Sequence, residues 1–259
     1  MMSDTVGSAG VLPAGIDDSI FRFGFWMVVV TCVSGVIAPF FPTSAPGGYD
    51  TGHAESVLWL SEHGGAFIAA WSTQIVGMLS LSGIFMVLAW QVLRECPLRA
   101  VAAAMAVLVA TIAFIIPKFM AIWAVPQMAD AVINAEATAD MADSLLLMLN
   151  VSIPFSLFKS LDYLGFWMYA LCALLLALPL VNQAGIDLST KITGVAMAVY
   201  GLAFHALILF WILGAIPAAQ MRTIGAPVFG VMLIAVVAAA FNFRKRIEQL
   251  TTHNQESTN

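Results

Sequence analysis

Six long apolar runs dominate this sequence of 259 residues. A helix needs roughly 20 residues to cross the hydrocarbon core of a bilayer, and each run is about that long. The runs lie at 23–41, 64–90, 100–125, 155–181, 192–216 and 224–243. We expect each to be an α-helix, because backbone in lipid must satisfy its own hydrogen bonds and the runs lack the alternation of barrel strands. The predicted fold class is an all-α integral membrane protein, with a six-helix transmembrane bundle as a single domain at 1–248.

The composition favours lipid as the solvent of this chain. Hydrophobic residues make up 61% of it and charged residues 10%, against about 45–50% and 25% in soluble domains. A water-soluble globule of this size could not bury so much apolar surface. There is also no basic run long enough to indicate nucleic-acid binding.

The lysines and arginines predict the orientation of the bundle. Seven flank alternate run ends on one side and one lies in a loop on the other: Arg22, Arg94, Arg99, Lys191, Arg244, Lys245 and Arg246 against Arg222. This bias predicts that both termini face the cytoplasm, in the inner membrane of a bacterium. We expect the first run to be retained, because Pro46 disfavours signal-peptide cleavage nearby.

Two longer loops, 42–63 and 126–150, lie on the predicted outer side and contain acidic residues but no lysine or arginine. The Ala-, Met- and Leu-rich stretch 128–149 predicts a short helix at the membrane surface, and Pro154 is expected to bend the chain into the fourth run. The polar tail, 249–259, is predicted to be disordered.

Ionisable residues inside the runs are few. Such a side chain costs about 2.5–3.5 kcal/mol to insert, so it usually has a partner or a role. Lys118 in the third run and Lys159 and Asp162 in the fourth lie at similar depths, within about 10 Å of the outer surface by helix rise. Sequential antiparallel runs are usually neighbours, so we expect Lys118 and Asp162 to converge.

The pattern predicts a polar pocket, open to the outer side, between the second, third and fourth runs. The candidate ligand-binding residues are Glu62, His63, Lys118, Lys159, Asp162, Tyr163 and Arg222.

Two interpretations of these charges stay open. Two lysines face one intramembrane carboxylate, which favours a binding site, and the second lysine is balanced either by Glu62 or by an anionic ligand. Alternatively, Lys159 pairs with Asp162 three residues along the same helix face, while Lys118 extends to the headgroups.

Other chemical patterns are weaker. His205, in the fifth run, is a candidate proton carrier or a packing residue. A haem held by two histidines would need a second histidine at the depth of His205, whereas His63 lies about 15 Å nearer the surface. Asp50, His53 and Glu55 are weak metal candidates, since a site needs three or four converging ligands. Ser156-Leu157-Phe158-Lys159 matches S-x-x-K but lacks its partner motifs, so we interpret it as coincidence. No cofactor is predicted.

Three functional hypotheses follow from the sequence. The favoured one is a binding or transport-type protein whose outer pocket holds a small anionic or lipid-like ligand. A second is a non-catalytic subunit or assembly factor of a larger membrane complex. A third is a membrane enzyme acting on a lipid or quinone. Small-residue faces could pack within the bundle, against a membrane protein partner or in a homo-oligomer; these residues are Ala102, Ala106 and Ala110, Ala226 and Gly230, and Ala235 and Ala239.

Overall fold

A computed structural model describes residues 15–183 and 187–256 of the chain. It contains seven α-helices in that part of the chain, with three short 3₁₀ turns and no β-strand. The helices are α1 (Ile16–Ile37), α2 (His53–Leu93), α3 (Pro97–Ile133), α4 (Ala139–Leu149), α5 (Leu157–Asn182), α6 (Leu188–Ile212) and α7 (Met221–Glu256). Six of them, all except α4, are long and apolar enough to cross a membrane. The prediction of six membrane-spanning helices is confirmed in that respect.

The six long helices form a ring. Each packs against its neighbours in the order α1, α2, α3, α5, α6 and α7, and α7 returns to pack against α1. Short connections between antiparallel helices make sequence neighbours into spatial neighbours. The ring therefore brings α2, α3 and α5 side by side, as the predicted pocket requires.

Glycines allow the closest helix approaches. A Cβ atom added to Gly165 of α5 would lie 2.6 Å from the ring of Phe114 on α3. A Cβ atom on Gly201 of α6 would lie 2.9 Å from the carbonyl oxygen of Ala170 on α5. These contacts leave no room for a side chain, so the small residues set the distances between α3, α5 and α6.

The small-residue faces divide between the interior and the surface. Ala106 and Ala110 are buried against neighbouring helices, as are Ala235 and Ala239. Ala102 is exposed, and so is the face of α7 that carries Ala226 and Gly230.

Two helices at the predicted outer end are longer than a bilayer crossing requires. α2 has 41 residues and is kinked at His63, whose φ and ψ are −117° and 20°. The predicted start of the second span, residue 64, coincides with this kink, but the helix continues back to His53. α3 has 37 residues and runs through Pro117 and Pro126.

The predicted single helix over 128–149 is therefore wrong in its extent. Residues 128–133 belong to α3, and a separate α4 begins at Ala139. Pro126 removes only one backbone hydrogen bond, which does not end a helix that is supported by packing.

The extensions of α2 and α3 pack with α4 in a hydrophobic cluster of their own, which we call the cap. Its buried members are Ala45, Val57, Trp59, Phe67, Trp71, Ala121, Val125, Ala129, Leu146, Leu149 and Phe158. A second and larger cluster, the bundle core, includes Phe114, Tyr169, Tyr200 and Phe204. Lys118 lies where these two clusters meet, because its ammonium group is near Trp71 of the cap and Phe114 of the bundle core.

The tail that we predicted to be disordered over 249–259 is helical in its first part, and residues 257–259 lie outside the described residues. α7 continues as a helix through Glu256. Ile247 and Leu250, three residues apart on one helix face, pack against the bundle core, which supports this extension.

Candidate ligand-binding site

A buried ion pair joins α3 to α5. Lys118 Nζ donates a hydrogen bond to Asp162 Oδ1 across 2.6 Å. The Lys118 side chain is 1% exposed and that of Asp162 is 19% exposed. The expected convergence of Lys118 and Asp162 is thus observed. The alternative in which Lys118 extends to the headgroups is wrong, because its ammonium group is buried beside α5.

Aromatic rings surround the ammonium group of Lys118. Its Nζ lies 4.8 Å from the ring centroid of Phe114 and 5.8 Å from that of Trp71. A cation near a ring face is attracted by the ring quadrupole, most strongly where water is excluded. The rings and the Asp162 carboxylate together offset the cost of burying this charge.

Beside the ion pair lies a polar cavity of about 280 Å³, which we call the lysine cavity. Its walls come from α2, α3, α5 and the loops that precede α2 and α5. The lining residues are Thr43, Ser44, Gly48, Trp71, Gln74, Met78, Lys118, Val151, Ser152, Lys159, Asp162 and Phe166. Among the described residues, this lining contains two ammonium groups, those of Lys118 and Lys159, and one carboxylate, that of Asp162.

A serine cap begins α5 three residues before Lys159. Ser156 is the N-cap of α5, and its hydroxyl oxygen accepts a hydrogen bond from the backbone N–H of Lys159. A serine at this position satisfies one of the free N–H groups of the first turn. The S-x-x-K pattern is therefore accounted for by helix capping.

A second, more apolar cavity adjoins the first, and we call it the aromatic cavity. It has a volume of about 30 Å³, and Phe67, Trp71, Val125, Leu146 and Phe158 are among its walls. Five residues line both cavities: Thr43, Ser44, Trp71, Val151 and Ser152. The two cavities thus share part of their walls.

Trp71 stands in this shared wall with an unused hydrogen-bond donor. The side chain is 2% exposed, and its Nε1 has no hydrogen-bond partner among the described residues. A buried donor without a partner costs about 1–3 kcal/mol, which makes such groups uncommon in folded proteins.

Three of the remaining candidates, Glu62, His63 and Tyr163, do not line the lysine cavity. Glu62 is exposed, and His63 stacks on Trp59 at the kink of α2, with ring centroids 5.1 Å apart. Tyr163 is partly buried against the bundle core and does not line the lysine cavity. The side chain of Arg222 lies outside the described residues. The structure therefore gathers Lys118, Lys159 and Asp162 from the predicted set.

The weak metal candidates of the first outer loop do not converge. His53 Nε2 donates a hydrogen bond to Asp143 Oδ1 on α4 across 2.8 Å, while Asp50 and Glu55 are exposed. Within the described residues no group of three or more His, Cys, Asp or Glu side chains could hold a metal ion. His53 instead fastens α4 to the start of α2.

His205 is placed as a packing residue would be. Its Nδ1 lies 2.7 Å from the carbonyl oxygen of Gly201, one turn earlier in α6. Its ring meets that of Trp167 edge-on, with centroids 6.3 Å apart. The ring thus has partners that do not require a proton-transfer role.

The sequence interpretation missed a hydroxyl cluster beneath the site. Ser82 Oγ lies 2.7 Å from Thr111 Oγ1 and 2.6 Å from the Tyr169 hydroxyl, which donates to the carbonyl oxygen of Met78. Thr111 and Tyr169 are each seven residues from Lys118 and Asp162, so they share the same helix faces. The aromatic ring of Phe114 lies between the two levels, in contact with both Lys118 and Tyr169.

A second missed cluster lies at the opposite end of the bundle. Asn242 is fully buried; its Nδ2 donates to Gln91 Oε1, and its Oδ1 lies 2.9 Å from the Thr190 hydroxyl. Burial raises the pKa of the Asp187 carboxyl, but hydrogen bonds from Thr190, Ser189 and Lys245 together hold this pKa below its usual value. A search for amides within or directly beside the apolar runs would have found Asn242 and Gln91.

These observations together define a multi-pass α-helical membrane protein with a buried ion pair and a polar cavity at one end of its bundle. Comparison with known protein families, curated proteins and solved structures finds no match to the chain.

Proposed function

We propose that this protein is a binding or transport-type protein of a bacterial inner membrane, and that its lysine cavity holds a small anionic ligand on the outer side. The observation that carries the proposal is the polar cavity itself, whose lining brings the ammonium groups of Lys118 and Lys159 together with three hydroxyl groups and the side-chain amide of Gln74. An anion in this cavity can accept charge-assisted hydrogen bonds from these donors.

The position of the cavity supports an outward opening. Its loop residues Thr43, Ser44 and Gly48 follow α1, and Val151 and Ser152 precede α5. All five belong to the end of the bundle that the lysine and arginine distribution assigns to the outside. In this proposal α4, which belongs to the cap and is held to α2 by His53 and Asp143, lies near the membrane surface on the same side.

The test measures anion binding by the full chain in nanodiscs of neutral lipid. Acetate and inorganic phosphate serve as probes, and Lys118→Met combined with Lys159→Met is the test variant. We expect at least a tenfold loss of affinity, because a charge-assisted hydrogen bond contributes about 1.5–3 kcal/mol.

Lys191→Met is the matched control. Lys191 is an exposed lysine of α6 that lines neither cavity, so its replacement should leave binding unchanged. Equal affinity of the wild type and the double variant, with both proteins accumulating normally in the membrane, would overturn the proposal.

A further inference from the structure

The adjoining cavities differ in chemistry. The lysine cavity presents two ammonium groups, a carboxylate and several hydroxyl and amide groups, whereas the aromatic cavity is walled mainly by aliphatic and aromatic side chains. Ligand pockets commonly combine an apolar wall with a few polar groups that fix orientation. A ligand that fills both cavities must have an anionic end and an apolar end.

We infer that the ligand is a small organic anion, with a carboxylate held in the lysine cavity and a short apolar group inserted toward the aromatic cavity. The inference rests on the proposed function and narrows its ligand class. Trp71 stands at the junction, and its unpartnered indole N–H is a ready donor for a carboxylate oxygen. An inorganic anion would leave the apolar walls unused.

The volumes limit the apolar part. The lysine cavity measures about 280 Å³ and the aromatic cavity about 30 Å³, and ordinary small-molecule pockets are about 300–1,000 Å³. The space therefore fits an acid with a few methylene groups or one small branched group. A full lipid acyl chain is too large for it.

The experiment compares the affinity of a series of linear carboxylates of equal charge. Acetate, propionate, butyrate and hexanoate are titrated into the full chain in nanodiscs of neutral lipid, and binding to empty nanodiscs is subtracted. Each buried methylene should raise affinity about fourfold. Propionate should then bind roughly fourfold more tightly than acetate, and the gain should level off along the series once the aromatic cavity is filled.

Val151→Trp is the variant that separates the two cavities. Val151 is partly buried in the loop before α5 and lines both cavities, so an indole there should block the junction. This variant should bind acetate normally and lose the gain from acetate to butyrate. Val199→Trp, the same change on the exposed face of α6, should behave as the wild type.

The outcomes separate this inference from the proposed function. Affinity that is equal along the series but is lost in the double lysine variant overturns the inference and leaves the proposed function standing. Displacement of the acids by phosphatidylglycerol added to the nanodiscs also overturns the inference, because the ligand would then be a lipid headgroup. If none of the acids binds, the inference is wrong, and the proposed function is wrong as well when inorganic phosphate does not bind either.

Discussion

The ammonium group of Lys118 sets the energetics of the site at the scale of single residues. It is 1% exposed, yet it has a carboxylate partner and two aromatic neighbours. Lys118 and Asp162 were both singled out from the sequence because charges are rare in apolar runs. Whether Lys118 pairs with Asp162 or extends to the headgroups depended on the rotation of α3 about its axis, which the sequence does not specify.

Removing the Asp162 carboxylate alone should destabilise the protein more than replacing both members of the ion pair. Asp162→Asn leaves a buried ammonium group without a counter-charge, so we expect it to lower the free energy of unfolding by about 3 kcal/mol. Combining Lys118→Met with Asp162→Leu should cost much less, because a buried ion pair is often replaced by apolar groups with little loss. Unfolding by SDS in mixed micelles measures the stability of both variants. A double variant that is as unstable as Asp162→Asn would contradict this account.

At the scale of elements, the approach of α5 to α3 brings Asp162 to Lys118. Gly165, one turn below Asp162, lies against the ring of Phe114, one turn below Lys118. The residue types permit this contact, but glycine occurs at many other helix positions in the chain. The sequence did not indicate that Gly165 was the position of closest approach.

A methyl group at Gly165 should separate the two helices. Its Cβ would lie 2.6 Å from Phe114, so we expect Gly165→Ala to destabilise the protein by about 1–3 kcal/mol through overpacking. The same change at Gly65, where nothing lies within 4 Å, should be neutral or slightly stabilising because alanine favours helix.

Thermal unfolding in detergent compares these two variants. Combining Gly165→Ala with Phe114→Leu should recover part of the loss, since the smaller side chain makes room for the methyl group. Equal stability of Gly165→Ala and Gly65→Ala would contradict the role given to Gly165.

At the scale of the whole molecule, the six long helices place the start of α1 and the end of α7 at the same end of the bundle. Contacts between Arg94 and Asp17 and between Lys245 and Asp187 join the helix ends there. Most of the basic residues that predict the orientation belong to this end, and the lysine cavity belongs to the other.

The predicted orientation can be tested with reporter fusions. Green fluorescent protein fused after residue 259 should fluoresce, because it folds in the cytoplasm, whereas alkaline phosphatase at that point should be inactive. Alkaline phosphatase inserted in the loop between α3 and α4, near residue 136, should be active. The reverse pattern would invert the membrane orientation and place the lysine cavity on the cytoplasmic side.

The sequence by itself determined the number and approximate positions of the spanning helices, because the transfer of apolar side chains into lipid depends on local composition. It also indicated Lys118, Lys159 and Asp162, since charges in such segments are costly wherever they lie. Only the tertiary structure decided that Lys118 pairs with Asp162, that α2 and α3 extend into a cap, and that Trp71 stands between two cavities. These features depend on helix rotation and on packing between residues far apart in the chain, which composition and spacing do not encode.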